Sequence, residues 1–348
     1  MAWLTLAEKA AIDYAMMTEI SIKEQVFGAF YGGITGDALG VPFEFKNRGT
    51  FTAQGMEGFG TYMQRPGTWS DDSALTLCMV ENFTKNGDEA ALMGNIARYA
   101  EEAYWTPRGK VFDIGGTTRA AIDRFRAGIP PNQCGLSGET DNGNGALMRI
   151  APAVLPFMFV RDAGFAALAE TAVRYAGLTH AHPRSTLGCI IYVYLLYRLS
   201  QYDTFEKALE KTIQACESGL KDTVYAAEMK HYSRVFNREI PRLKVEEVYS
   251  DGYVVHTLEA ALWCVAKNGN YKDTVLAAVN LGGDTDTTAA VAGTIAGLLY
   301  KYKTIPAEWI AVLARKEDID ALLGKAVEII LENYMARVKQ AEQKRKEA

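Results

Sequence analysis

The chain has no run of about twenty consecutive apolar residues, the length a helix needs to cross a bilayer, so no membrane span is expected. It has only four histidines, His180, His182, His231 and His256, and no HExxH pattern, which argues against a zinc hydrolase of that kind. Its five cysteines, Cys78, Cys134, Cys189, Cys216 and Cys264, are odd in number, widely spaced and without a CxxC pair. They read as buried thiols in a reducing compartment rather than a zinc site or a disulfide framework. No basic stripe is present. Lys and Arg are dispersed and the formal net charge is -5, so no direct nucleic-acid binding is expected. Residues 1–22 are interrupted by Glu8, Lys9 and Asp13, which makes them a poor signal peptide, and a cytoplasmic protein is the expectation. A mildly acidic surface does not attract a phosphate-bearing ligand by itself. Such a ligand needs a local site, and bound metal ions are one way to build it.

Alternating strand patterns are also scarce. Leu243–Val255 is the one stretch read as holding a short strand, and strands alternating regularly with helices are missing, which argues against a doubly wound sheet. What is present is helical spacing. Ala74–Phe83 is apolar on nearly every face, as a buried helix requires. Phe165–Ala176, Thr257–Lys267, Tyr271–Asn280 and Val312–Met335 continue the pattern, as does Leu187–Leu199, whose Ile, Val and Tyr would also suit a strand. Thr287–Tyr300 is packed with Ala and Gly; small residues let helices approach closely, so this helix is placed at the centre. Gly32–Gly40, Gly55–Gly67, Gly109–Gly116, Gly135–Gly145 and Gly282–Gly283 read as Gly-rich loops. The resulting expectation is an all-α, compact single domain, with Asp203–Tyr249 as a peripheral insertion and a charged tail at 336–348 that frays into solvent.

Two acidic clusters stand directly before helices: Trp69-Ser70-Asp71-Asp72-Ser73 and Gly282-Gly283-Asp284-Thr285-Asp286-Thr287-Thr288. Side-chain oxygens there can simply cap helix N-termini, where carboxylates also meet a favourable dipole. A cap needs one oxygen, however, and each cluster offers two carboxylates plus hydroxyls. Four carboxylates in apolar surroundings repel one another unless cations neutralise them, and hard oxygen ligands suit magnesium, manganese or calcium. An EF-hand is excluded by spacing, since Ala289 and Ile295 fall where Gly and Glu are required. A third cluster, Gly36-Asp37-Ala38-Leu39-Gly40-Val41-Pro42-Phe43-Glu44-Phe45, places Glu44 between two phenylalanines, with Asp37 read as ending the preceding helix. In the fourth, Asp141-Asn142-Gly143-Asn144-Gly145-Ala146-Leu147-Met148-Arg149, Gly and Asn allow left-handed backbone and exposed N–H groups that can cradle phosphate; a tight turn is the plainer reading.

GDALGVPFEF, TWSDDS, FDIGG, NGNGALMRIAP, THAHP and GGDTDT, in that order, resemble the ADP-ribosylglycohydrolase family, over about Gln25 to Leu323. The resemblance implies an all-α domain, here placed at 25–335 behind an N-terminal helical extension at 1–24, with two Mg2+ or Mn2+ ions in a cleft. It implies Ser70, Asp71, Asp72, Asp284, Asp286 and Thr287 as metal ligands and Glu44 as a candidate for positioning water or gating substrate; in a metal-assisted hydrolysis, Asp72 or Glu44 is expected to accept the water's proton. It implies Gly115, Gly116, Asn142, Asn144, Gly145, Met148, His180 and His182 as substrate contacts. The implied activity is hydrolysis of the glycosidic bond between ADP-ribose and an acceptor, by a monomer acting on a modified protein or small conjugate. A metal-dependent phosphohydrolase, a non-catalytic ADP-ribose binder and a toxin-neutralising relative are the alternatives.

Overall fold

Residues 6–347 are described by the computed structural model, and they form thirteen α-helices joined by loops and short 3-10 turns. In order they are α1 (Leu6–Gly40), α2 (Asp71–Thr84), α3 (Glu89–Glu102), α4 (Gly116–Arg126), α5 (Phe165–Ala176), α6 (Pro183–Ser200), α7 (Phe205–Gly219), α8 (Ser233–Phe236), α9 (Val254–Lys267), α10 (Tyr271–Asn280), α11 (Thr285–Tyr300), α12 (Ala307–Val312) and α13 (Lys316–Glu347). Among the described residues there is no β-strand, only isolated bridges such as Gly143–Tyr253 and Leu136–His180. The strand expected in Leu243–Val255 is instead irregular backbone, a 3-10 turn at Val245–Glu247 and the start of α9. No described helix is long and apolar enough to cross a membrane.

The centre of the molecule is the pair α1 and α11. Gly28, Gly32, Gly36 and Gly40 recur every fourth residue on one face of α1, and they meet Gly297, Gly293, Ala289 and Asp286 of α11. A Cβ placed on Gly32 would lie 2.3 Å from the Gly293 carbonyl oxygen; one on Gly36 would lie 2.1 Å from that of Ala289. The relation is reciprocal, since a Cβ on Gly297 would lie 1.9 Å from the Gly28 oxygen. Only hydrogen fits between these backbones. Gly32–Gly40 was expected to be a loop, and the structure corrects this. Each helical glycine costs about 1 kcal/mol relative to alanine, but the close approach recovers van der Waals contact along four turns, and tertiary packing overrides propensity.

The pair is tied at the end that carries the acidic clusters. Thr285 Oγ1 donates to the Gly40 carbonyl at 2.8 Å, satisfying a terminal oxygen of α1. Phe45 N–H donates to the Gly283 carbonyl at 2.7 Å, and Gly283 N–H returns a bond to the Lys46 carbonyl at 2.9 Å. Gly282 and Gly283 adopt φ of +75° and +71°, a conformation that costs glycine little. α9, α10 and α6 pack around this spine. All five cysteines are buried and free.

Other expectations meet small changes. α7, inside the stretch read as peripheral, packs on α6 and buries Ala208, Leu209, Ile213 and Cys216. The tail is not frayed within the described residues: α13 continues to Glu347 with its outer turns exposed. Residues 1–5 of the expected leader and Ala348 of the tail lie outside the described residues, and the rest of the leader belongs to the same unbroken helix as Gly28–Gly40.

Gly32→Ala should lower stability by about 1–3 kcal/mol through overpacking. Gly324→Ala, on α13 with no atom within 4 Å of the added methyl, should raise it by about 0.4–1 kcal/mol. Urea unfolding of both variants decides; equal effects would contradict the close-packed spine.

Candidate active site

The N-terminus of α2 is capped twice over. Ser70 Oγ accepts from Asp72 N–H at 3.3 Å, as an ordinary N-cap does. Asp37, buried within the last turn of α1, accepts from Ser70 N–H at 2.9 Å and from Ser73 N–H at 3.0 Å, and also from the Ser73 hydroxyl. Asp37 was expected to end its own helix; it lies inside α1 and caps a different one. With capping met by Ser70 and Asp37, the carboxylates of Asp71 and Asp72 are left over.

A similar division of labour occurs at α11. Asn144 donates through Nδ2 to Asp284 Oδ2 at 2.8 Å and to Thr257 Oγ1 at 2.9 Å. Asn144 thus links the NGNGA loop to the second acidic cluster. Thr287 Oγ1 donates to Asp72 Oδ1 at 3.3 Å, a direct contact between clusters 215 residues apart in the chain. Oxygens of Asp37, Asp72 and Asp286 lie within 4.8 Å of one another, as do those of Glu44, Asp284 and Asp286. Asp286 is common to both groups. Asp37 already accepts hydrogen bonds on both oxygens, so its part in the first group is read as structural support.

Above these acids opens a cleft of about 260 Å³. Glu44, Phe45, Asp71, Asp113, Asp284 and Thr287 border it together with Gly115–Thr118, Gly143–Gly145, Met148 and His180. α4 starts at Gly116 with Gly115 as an N-cap that offers no side chain, so the first N–H groups of the helix face the cleft uncapped. That end favours anions by its free donors and its dipole. Gly143 and Gly145 are not left-handed, contrary to expectation; at Gly145 the reason for glycine is proximity. A Cβ on Gly145 would lie 2.8 Å from His180 Cε1.

Of the residues singled out in the sequence, Asp72, Asp286 and Ser70 lie buried just beneath the cleft rather than on its wall. Asn142 is buried beside it, donating through Nδ2 to the Glu139 carbonyl. His182 does not border the cleft: it caps α6, accepting from Arg184 N–H at 3.1 Å. Asp113 and Tyr62 were missed. Asp113 sits inside the FDIGG motif, where attention went to the glycines, and being an acid in a Gly-rich loop was its only signal. Tyr62 had none.

Among the described residues that border the cleft there is no Lys or Arg to offset these acids. Burial, and then the charges of Asp113, Asp37 and Glu44, drive the Asp71 carboxyl well above its ordinary range. Asp72 is raised by burial and by Asp37, Asp71 and Asp284, and Asp286 by burial and by Glu44, Asp72 and Asp284. Glu44 is pushed up to about 8 by burial and Asp113, with Tyr62 opposing, and Asp37 to about 6 by burial. Asp72 Oδ2, Asp284 Oδ1 and Glu44 Oε2 are buried without a hydrogen-bond partner. Orphaned carboxylate oxygens facing one another are the donor set of a hard cation.

A model of the ADP-ribosylglycohydrolase family matches residues 18–339. An ADP-ribosylarginine hydrolase of Serratia proteamaculans is 31% identical over 88% of this chain and 80% of its own length. The ADP-ribosyl-[dinitrogen reductase] glycohydrolase of Rhodospirillum rubrum is 29% identical over 89% of this chain and 99% of its own. A solved structure titled as an ADP-ribosylglycohydrolase-related protein complex superimposes with a TM-score of 0.72 at 30% identity, covering 89% of this chain and 99% of that one.

The raised carboxyls set a pH dependence. Their folded pKa values lie above the unfolded ones, so the folded state holds protons that the unfolded chain releases. Without divalent cation, stability should therefore be greatest near pH 4–5 and fall as pH rises through about 6 for Asp37 and about 8 for Glu44. Asp286→Asn should raise cation-free stability at pH 8 by about 0.5–2 kcal/mol by removing a carboxyl whose ionised form the site disfavours. Thermal unfolding across pH checks both; a flat profile, or destabilisation by Asp286→Asn, would count against uncompensated charge.

Proposed function

The chain belongs to the ADP-ribosylglycohydrolase family, and from that premise we propose that it hydrolyses the glycosidic bond joining ADP-ribose to an acceptor, releasing free ADP-ribose. The observation that carries the reading is the gathering of Asp71 and Asp72 from α2 with Glu44, Asp284 and Asp286 in and beneath a cleft that also takes in an uncapped helix N-terminus. The acids suit cations and sugar hydroxyls; the helix N-terminus suits phosphate.

The proposed cofactors are two Mg2+ or Mn2+ ions, held by Asp71, Asp72, Asp284, Asp286 and Thr287, with Ser70 beside them. The orphaned oxygens of Asp72 and Asp284 fit that role. Bound there, divalent cations supply Lewis-acid polarisation and neutralise the carboxylates. The chain's own residues bind, orient and move the proton. The N–H groups of Gly116 and Thr117 and the Gly145 loop seat the diphosphate, so that remote binding energy positions the distal ribose over the acids. Of the two acids that can accept a proton, Glu44 borders the cleft whereas Asp72 faces Thr287 below it, so Glu44 is assigned as the base. Water oxygen bonds to the anomeric carbon as the bond from that carbon to the acceptor breaks. Glu44 takes the water proton and hands it to the departing acceptor, which leaves protonated as Glu44 returns to its carboxylate form.

An arginine side chain is the proposed acceptor, in keeping with relatives named as ADP-ribosylarginine hydrolases. Asp71→Ala, Asp72→Ala and Asp286→Ala should each lower turnover about a thousandfold, or about 4 kcal/mol of barrier, and exhaustive chelation should do the same to the unaltered protein. Chromatography of products from ADP-ribosylated arginine peptide should show ADP-ribose. AMP as the product would instead indicate a phosphohydrolase, and full turnover after chelation would remove the cations from the account.

A further inference from the structure

Arg149 is a cation with no carboxylate partner among the described residues. It is fully buried in the 3-10 turn Leu147–Arg149, packed between α2 and α6 below the cleft. Nη2 donates to the Tyr175 carbonyl at 3.1 Å and to Thr179 Oγ1 at 2.8 Å, while Nε and Nη1 have no hydrogen-bond partner. The acidic groups acting on it are the thiols of Cys78 and Cys189, and burial lowers its pKa to about 10. An unpaired buried guanidinium is costly. Anchoring a turn does not explain it, because a neutral amide can donate to the same two oxygens.

The next link explains it better. Thr179 Oγ1 lies 2.8 Å from His180 Nδ1. Arginine can only donate, so one lone pair of the Thr179 hydroxyl is occupied and its proton is available to Nδ1. With Nδ1 accepting that proton, the imidazole proton would reside on Nε2. His180 borders the cleft, and a Cβ on Gly145 would lie 3.2 Å from that Nε2. On the same wall Thr118 Oγ1 is buried without a partner, beside the uncapped N–H groups of α4. Burial and the Arg149 charge both oppose a second proton on the ring, holding its pKa down to about 3.

We propose that Arg149 is a positioning residue that works through Thr179 to lock His180 in the Nε2–H form, so that the imidazole donates into the anion-binding side of the cleft, toward the diphosphate of ADP-ribose. The uncompensated guanidinium adds a positive field beneath the ligand, while the neutral imidazole adds direction. The ligand half of this inference rests on the function proposed above; the tautomer half does not.

Nitrogen-15 NMR of the imidazoles in the full chain, without ligand, reads the tautomer directly. Calorimetry with ADP-ribose and Mg2+ reads its consequence. The native protein should show His180 protonated at Nε2 and bare at Nδ1. Thr179→Val keeps the side-chain shape, should mix the tautomers and should weaken ADP-ribose binding about tenfold. Added to His180→Phe, it should cost nothing further. Arg149→Lys, which keeps the charge but not the fork, should also mix the tautomers. A proton on Nδ1 in the native protein, or losses from Thr179→Val and His180→Phe that simply add, would overturn the relay. A native protein with the stated tautomer but no affinity for ADP-ribose would overturn the ligand assignment and the proposed function together, leaving the relay standing.

Discussion

The backbones of α1 and α11 touch along a four-residue glycine repeat, and the rest of the site depends on that contact. Gly40 rests on Asp286 itself: a Cβ there would lie 2.3 Å from Asp286 Cα. Because no side chain separates the helices, Asp37 near the end of one and Asp286 at the start of the other are held at almost contact distance. The Thr285–Gly40 hydrogen bond fixes the axial register, and the paired loops at 45–46 and 283 then set where Glu44 enters. Through Asp37 the same helix reaches across to cap α2, which delivers Asp71 and Asp72. One helix end therefore positions three acid-bearing segments.

That arrangement is electrostatically unfavourable in the bare protein. Carboxyls of Asp71, Asp72, Asp284, Asp286, Asp113 and Glu44 crowd together without a nearby Lys or Arg in the cleft, and several hold oxygens that no donor reaches. Folding energy supplied by the glycine spine and the apolar core keeps them there. Such stored repulsion favours any divalent cation that relieves it, which ties affinity for the cation to the stability of the fold. The same cleft has complementary groups: free N–H groups at α4 and His180, which leads through Thr179 to a buried guanidinium without a counter-ion among the described residues.

Much of this was legible in the residues. Phe165–Ala176 and Tyr271–Asn280 match α5 and α10 residue for residue because their apolar spacing is strong and their ends are marked by Gly and Asn. The acidic doublets ahead of α2 and α11 announced themselves, since two carboxylates exceed what a cap needs. The glycines of 32–40 misled: locally they signal a loop, and only the partner helix, about 250 residues away, makes a helix of them. Asp37 was seen but assigned to its own helix, for capping across the structure leaves no local trace. Asn144 and the glycines beside it suggested a phosphate cradle; their contacts are with Asp284 and His180, which spacing cannot reveal. His180 and His182 were indistinguishable in sequence, and it is the start of α6 at Pro183 that turns one into a cap.

The central claim is that acids from two helices distant in the chain share cations. Electron paramagnetic resonance of bound Mn2+ tests it most directly, because two ions bridged by one carboxylate couple magnetically. The account predicts a coupled pair in the native protein, reduced to a single uncoupled ion or to none by Asp72→Ala on α2 and equally by Asp286→Ala on α11. Independent Mn2+ signals in the native protein, or a signal that survives unchanged when either helix loses its acid, would contradict it.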